Sequence, residues 1–156
     1  MERLGASTME RHPKSDIDHP REIKLSMRSE VSAISPFIDA FIDRLKDSSC
    51  VCGDPSDIEV ALREALANAV IHGNQEDASK QVHLSFRCDD AGDLFFVVRD
   101  EGHGFKLSDV PDPTAPENLD AEHGRGILMM RMYMDEVHFE RHGTEVHMHK
   151  KCSALK

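Results

Sequence analysis

The chain has 156 residues, 29 acidic against 19 basic, for a formal charge of −10. That length supports one domain whose core is large enough to fold alone. The acidic balance excludes non-specific nucleic-acid binding and adhesion to anionic membranes as general properties of the surface, because both need basic faces.

The start of the chain is interrupted by Glu2, Glu10 and Asp16 and lacks the apolar stretch of a signal peptide. The longest purely apolar run, Leu94 to Val98, is far too short to cross a bilayer. These features lead us to expect a cytoplasmic protein with no membrane contact and with its four cysteines reduced. Cys50 and Cys52 are too closely spaced for the usual zinc knuckle, so ordinary thiols are expected there.

Residues 1–21 lack periodicity, carry Pro13 and Pro20, and read as a disordered leader. Ile23, Leu25 and Met27 alternate with polar residues, predicting a half-buried strand over Ile23–Ser29. Ile34, Phe37, Ile38, Phe41, Ile42 and Leu45 recur at three- and four-residue spacing, predicting an amphipathic helix over Val31–Lys46 with Pro36 in its first turn. The next helix, Ile58–Gly73, has two candidate starts. Either Asp54 caps with Pro55 following, or Ser56 caps and Glu59 closes a capping box.

Gln81–Cys88 and Leu94–Arg99 read as strands joined by the DDAGD turn. Lys106–Glu122 is a long acidic loop broken by three prolines. HGRG (His123–Gly126) then opens a Met-rich helix from Ile127 to about Met134. Val137–Arg141 and Thr144–Lys150 close the chain as a hairpin around His142 and Gly143, and residues 152–156 read as a tail. The order β-α-α-β-β-loop-α-β-β predicts an α+β two-layer sandwich: a mixed, largely antiparallel sheet covered on one face by helices.

Within the second helix, Glu64, Asn68 and His72 stand at i, i+4 and i+8 and share one face among apolar neighbours. Unpaired burial of such groups is costly, so they meet polar partners or line a wet site. Asn68 offers an amide oxygen that suits magnesium, or one that satisfies a neighbouring backbone group. Glu64 could take or orient the proton of an attacking hydroxyl, or be a solvated helix charge. Asp100 ends a strand and opens D-x-G-x-G, where a carboxylate accepts from an exocyclic amine and Gly102 and Gly104 allow close approach to a flat ring. A plain turn explains the same letters. Gly124 and Gly126, before a helix, could present backbone N–H groups to phosphate or act as a hinge. His138, His142, His147 and His149 crowd the closing hairpin. His147 and His149 share a strand face, yet no fixed third ligand is evident for zinc. The methionines Met129, Met130, Met132 and Met134 read as core and interface filler.

Taken together, E-A-x-x-N (Glu64–Asn68), D-x-G-x-G-F (Asp100–Phe105) and H-G-R-G-I (His123–Ile127) resemble the GHKL, or Bergerat-fold, ATPase superfamily. Within it the chain is most similar to the bacterial anti-sigma factor serine/threonine kinases, over about Ile23 to Lys151. The resemblance implies a histidine-kinase-like ATPase domain over residues 22–151 that binds ATP and Mg2+. Glu64 would be the general base and Asn68 the magnesium ligand. Asp100 would hold the adenine amine, with Gly102, Gly104 and Thr144 beside it. Gly124, Arg125 and Gly126 would wrap the phosphates, and Lys106–Glu122 would be the lid.

The resemblance also implies a homodimer that phosphorylates a serine of an anti-anti-sigma (STAS-type) partner, with a sigma factor as a further partner and no direct contact with nucleic acid. Family members often carry an arginine in the first helix that touches the sigma factor, and here Ser35 or Pro36 stands in its place. A second reading is a non-catalytic module that binds nucleotide to select a partner, distinguished by whether ATP is turned over. A histidine-kinase half would need a phosphoacceptor helix, and Val31–Lys46 contains no histidine.

Overall fold

A computed structural model of the chain describes residues 21–47, 50, 54–104 and 122–152. The leader, apart from Arg21, and the Lys106–Glu122 loop, apart from Glu122, lie outside the described residues. The elements are β1 (Arg21–Arg28), α1 (Val31–Asp47), α2 (Pro55–Asn68), β2 (Gln81–Cys88), β3 (Leu94–Arg99), α3 (Glu122–Tyr133), β4 (Glu136–Glu140) and β5 (Glu145–Lys150). A π turn, Ala69–Gly73, extends α2. The five strands pair in the order β1-β2-β3-β5-β4, and all four pairings are antiparallel.

Strand alternation decides which face is dry. Val82, Leu84, Phe86 and Cys88 of β2 are buried, as are Leu94, Phe96 and Val98 of β3 and Val146 and Met148 of β5. Their registry continues across the sheet, with Phe86 opposite Phe96 and Phe96 opposite Met148. Phe41 of α1 packs edge-on against both Phe86 and Phe96, at centroid separations of 5.5 and 6.0 Å. The helices thus cover one face, and the other presents, among the described residues, exposed or half-buried side chains apart from the buried Glu145. Cys88 is buried against Cys50, and that burial pushes its thiol up to about 12.

Helix starts follow local chemistry. Asp54 is the cap of α2: its Oδ1 accepts from the Ser56 backbone N–H at 2.9 Å and the Ser56 hydroxyl at 2.6 Å, and Pro55 follows. This settles the two candidate starts in favour of the first. α1 continues through Pro36, which lies beyond its first turn rather than in it. Ser32, whose carbonyl loses its N–H partner to Pro36, is an exposed residue, where such a loss costs least. α3 begins at Glu122, five residues earlier than expected. The HGRG stretch is therefore the first part of the helix and not a loop leading into it.

Candidate active site

α2 and α3 pack side by side, and the seam between them holds the polar pair read from the sequence. Ile58, Ala61, Leu62, Ala65 and Leu66 bury one face of α2, which leaves Glu64 and Asn68 half-buried at the edge. Gly126 of α3 is buried directly over them. A Cβ on Gly126 would stand 3.0 Å from Glu64 Oε2, 3.3 Å from Asn68 Nδ2 and 3.4 Å from Asn68 Oδ1. Glycine here lets one helix backbone lie on the working atoms of another. Asn68 Nδ2 is buried and has no hydrogen-bond partner; among the described residues only Ser29 Oγ shares that condition. A carboxamide kept unpaired at such a cost is suited to meeting a ligand. The Asn68 amide oxygen and the Glu64 carboxylate are the oxygen donors here that could hold a hard cation.

His72, expected in the same file, falls in the π turn and is exposed. A π turn hydrogen-bonds one residue further along than an α turn, so the i+4 spacing no longer predicts the face.

The second group lies at the end of β3. Asp100 is 9% exposed. Its N–H donates to the Thr144 carbonyl at 2.9 Å, and its Oδ1 accepts from the Gly102 N–H at 2.8 Å. Burial pushes the carboxyl above its ordinary value, against the downward pull of the Gly102 N–H and the Lys80 charge. Gly73, at the end of the π turn, lies against this carboxylate with no room for a Cβ. A crevice of about 20 Å³ runs between the two groups, lined by Asn68, Gly73, Asp100, Gly143 and Thr144 with Ala65, Val98, Phe139 and Val146. It has room for roughly one water, so a flat ring can enter only if the walls part. A wider groove of about 440 Å³ lies on the open sheet face around Ser26, His83 and Arg99. It runs over strand side chains on the face of the sheet opposite the crevice at Asn68 and Asp100.

Gly102 and Gly104 sit where three loops converge. A Cβ on Gly102 would strike the Gly73 carbonyl, and one on Gly104, at φ 83°, would strike the His142 carbonyl. In this state the space they leave open admits protein backbone. The Thr144 hydroxyl donates to the Arg141 carbonyl at 2.8 Å, holding the β4–β5 turn that forms one wall.

Sequence reasoning missed Asn74, the residue that follows the expected helix Ile58–Gly73. It is 1% exposed. Its Oδ1 accepts from the Glu101 N–H at 2.8 Å and its Nδ2 donates to the Gln81 carbonyl at 3.0 Å. One side chain thus ties the loop carrying Asp100 to the start of β2. Nothing in hydrophobic periodicity marks such a residue, because its role is set by backbone groups outside its own helix, one of them 27 residues away.

Gly124 and Arg125 lie in the first turn of α3, and Arg125 is exposed. The first N–H groups of a helix lack intrahelical partners, which keeps the Gly124 N–H suited to an anion; Gly126, further along, serves the seam instead. His103 is exposed.

The fold and the polar seam define a class of protein, and comparison with known proteins agrees. Residues 27–150 match the histidine kinase-like ATPase domain family, and the chain belongs to that family. Within this GHKL superfamily it falls in the anti-sigma factor branch. It is 33% identical over 103 residues to the anti-sigma F factors of Bacillus thuringiensis (strain Al Hakam), Bacillus mycoides (strain KBAB4) and Bacillus cereus (strain AH187), covering 63% of this chain and 70% of each of theirs. The fold is shared with the histidine kinase domain of the Erythrobacter litoralis EL346 blue-light activated histidine kinase. There the TM-score is 0.50 at 19% identity, covering 81% of this chain and 62% of that one.

Proposed function

We propose that the chain is a cytoplasmic anti-sigma protein-serine kinase, acting as a homodimer. It binds Mg-ATP along the strip from Asp100 to Glu64 and phosphorylates a serine of a STAS-type anti-anti-sigma partner. That transfer switches its hold on a sigma factor. The observation that carries this reading is the continuity of the strip: Asn68 lines the crevice that ends at Asp100 and also lies, with Glu64, under Gly126.

Asp100 accepts from the exocyclic amine of adenine, held at the crevice end by its bonds to Thr144 and Gly102. Thr144 closes the other wall. The first turn of α3, with Gly124 and Arg125, supplies donors and charge for the phosphates. Asn68 Oδ1 is the donor for Mg2+, which when bound offsets phosphate charge. Glu64 accepts the proton of the serine hydroxyl as its oxygen bonds to the γ-phosphorus and ADP departs.

The sigma-facing contact has a local candidate. Arg63 Nη1 of α2 donates to Ser35 Oγ of α1 at 2.9 Å. This brings a guanidinium beside Ser35, which with Pro36 is where the family resemblance expects an α1 arginine.

The test is transfer of labelled γ-phosphoryl from Mg-ATP to a purified STAS-type partner. Glu64→Gln should bind nucleotide as wild type does and transfer about 10²–10⁴-fold more slowly. Equal rates would remove Glu64 from the chemistry. Binding with neither transfer nor ADP formation would leave the non-catalytic module.

A further inference from the structure

Alternation along β4 and β5 places Phe139 and Val146 toward the crevice and their neighbours on the opposite, open face. Four of those neighbours form a square. His138 and Glu140 stand two apart on β4, and Glu145 and His147 two apart on β5, with His138 opposite His147 and Glu140 opposite Glu145. The two imidazoles stack at 4.9 Å between centroids. Glu140 lies between them, with Oε1 3.3 Å from His138 Nε2 and Oε2 3.2 Å from His147 Nε2. Glu145 Oε2 is 3.0 Å from the same His147 nitrogen, and its Oε1 is engaged by Arg141 Nε at 3.2 Å.

We propose that His138, Glu140 and His147 form a zinc(II) site. One donor atom from each lies within 4.8 Å of the others. Zinc bonds of about 2.0–2.1 Å in a tetrahedron put neighbouring donors about 3.3 Å apart; each imidazole is that close to one oxygen of Glu140, His138 to Oε1 and His147 to Oε2, and the single donors must draw in from their 4.8 Å limit to share one ion. Small χ adjustments bring all three onto one ion. Two neutral imidazoles and a carboxylate match zinc's taste for nitrogen and oxygen, whereas magnesium prefers oxygen alone. Glu145, oriented by Arg141, places a further carboxylate beside His147, its charge partly offset by that guanidinium. The strands fix every Cα, so the site is preorganised by the sheet. The sequence suggested His147 with His149. The sheet instead pairs His147 with His138 across strands, while His149 Nε2 is 2.9 Å from Asp93 Oδ2.

The experiment is calorimetric titration of the reduced full-length chain with zinc, repeated with cobalt(II) to read absorption. Wild type should take one zinc per chain, undisturbed by excess magnesium, with a cobalt spectrum of tetrahedral intensity and no thiolate charge-transfer band. The double variant His138→Ala/His147→Ala should lose affinity by at least about 100-fold, since even outer-shell changes at metal sites cost about 10–100-fold. Glu140→Gln should weaken binding, and His142→Ala, an exposed histidine of the adjoining turn, should not. Circular dichroism would confirm folding, and the conservative His147→Gln offers a second variant with the same expected loss. No uptake by wild type, equal affinity in the double variant, or a thiolate band would each overturn the site.

Discussion

Gly126 of α3 lies on Asn68 of α2 so closely that a methyl group in place of its hydrogen would reach 3.3 Å from Nδ2 and 3.4 Å from Oδ1. The same methyl would come 3.0 Å from Glu64 Oε2. Gly126→Ala should therefore separate stability from function. Alanine in place of helical glycine gains about 1 kcal/mol of propensity. The tight contacts oppose that gain, though the Glu64 carboxylate is the end of a flexible side chain and can move aside. We expect Tm to change by no more than a few degrees. The displaced Glu64 and crowded Asn68 should lower phosphoryl transfer at least about tenfold. Transfer at the wild-type rate would show that the seam is structural only.

Asn68→Ala should leave the fold as stable as wild type or more so. The mutation removes a buried donor that has no partner, and such a donor costs about 1–3 kcal/mol. Alanine is also the better helix former. Magnesium-dependent nucleotide binding should be lost at the same time. Thermal unfolding with and without Mg-ATP checks both halves of this expectation. A large fall in apo stability would mean that the amide serves the fold.

Much of this arrangement is legible in the sequence. β2, α1 and the closing hairpin follow from alternation and three-four spacing, because each has one face in a single core and polar residues on the other, whereas β3 follows as a short apolar run after a turn. Glu64 and Asn68 stood out because polar side chains on an otherwise apolar helix need a reason. The sequence places the start of α3 too late because Gly124 and Gly126 read as a phosphate-facing or hinge segment before the helix. Gly126 is tolerated within the helix because the close approach to α2 needs it. Asn74 binds a loop 27 residues further on, and the π turn and the facing of His138 on His147 depend on local backbone geometry and hairpin register, which hydrophobic periodicity does not record.

Asn74→Ala removes both ends of the clamp, leaving the Glu101 N–H and the Gln81 carbonyl without their side-chain partner. The expected loss of stability is about 1–3 kcal/mol, seen as a fall of several degrees in Tm. Nucleotide affinity should fall as well, because the loop that aims Asp100 loses its tie to β2. Asn74→Asp keeps the acceptor for Glu101 but not the donor for Gln81, so it should lie between wild type and Asn74→Ala in a denaturant titration.

The pH dependence has a definite sign. Burial raises the Asp100 carboxyl, so the folded state holds its proton to higher pH than the unfolded chain, whose ordinary value is near 3.8. Stability is then lost as pH rises from that value through the raised folded one, and the cost is complete above it. Asp93, lowered by the Cys152 N–H and His149, and Glu101, lowered by the Gln81 N–H and His83, act in the opposite direction. Their contributions are lost as pH falls through their folded values. They cancel when Asp100→Asn is compared with wild type at each pH. The variant's advantage in Tm should grow across the Asp100 window and then level off. An advantage independent of pH would contradict the buried-charge account.

The most direct measurement is a thermal-shift titration of wild type and Asp100→Asn with Mg-ATP and Mg-ADP. A ligand that binds only the native state raises Tm as its concentration grows. The account predicts a rising Tm for wild type with both nucleotides and none for Asp100→Asn, although the variant alone is at least as stable. No shift in wild type at millimolar nucleotide, or equal shifts in the two proteins, would contradict a nucleotide site built on Asp100.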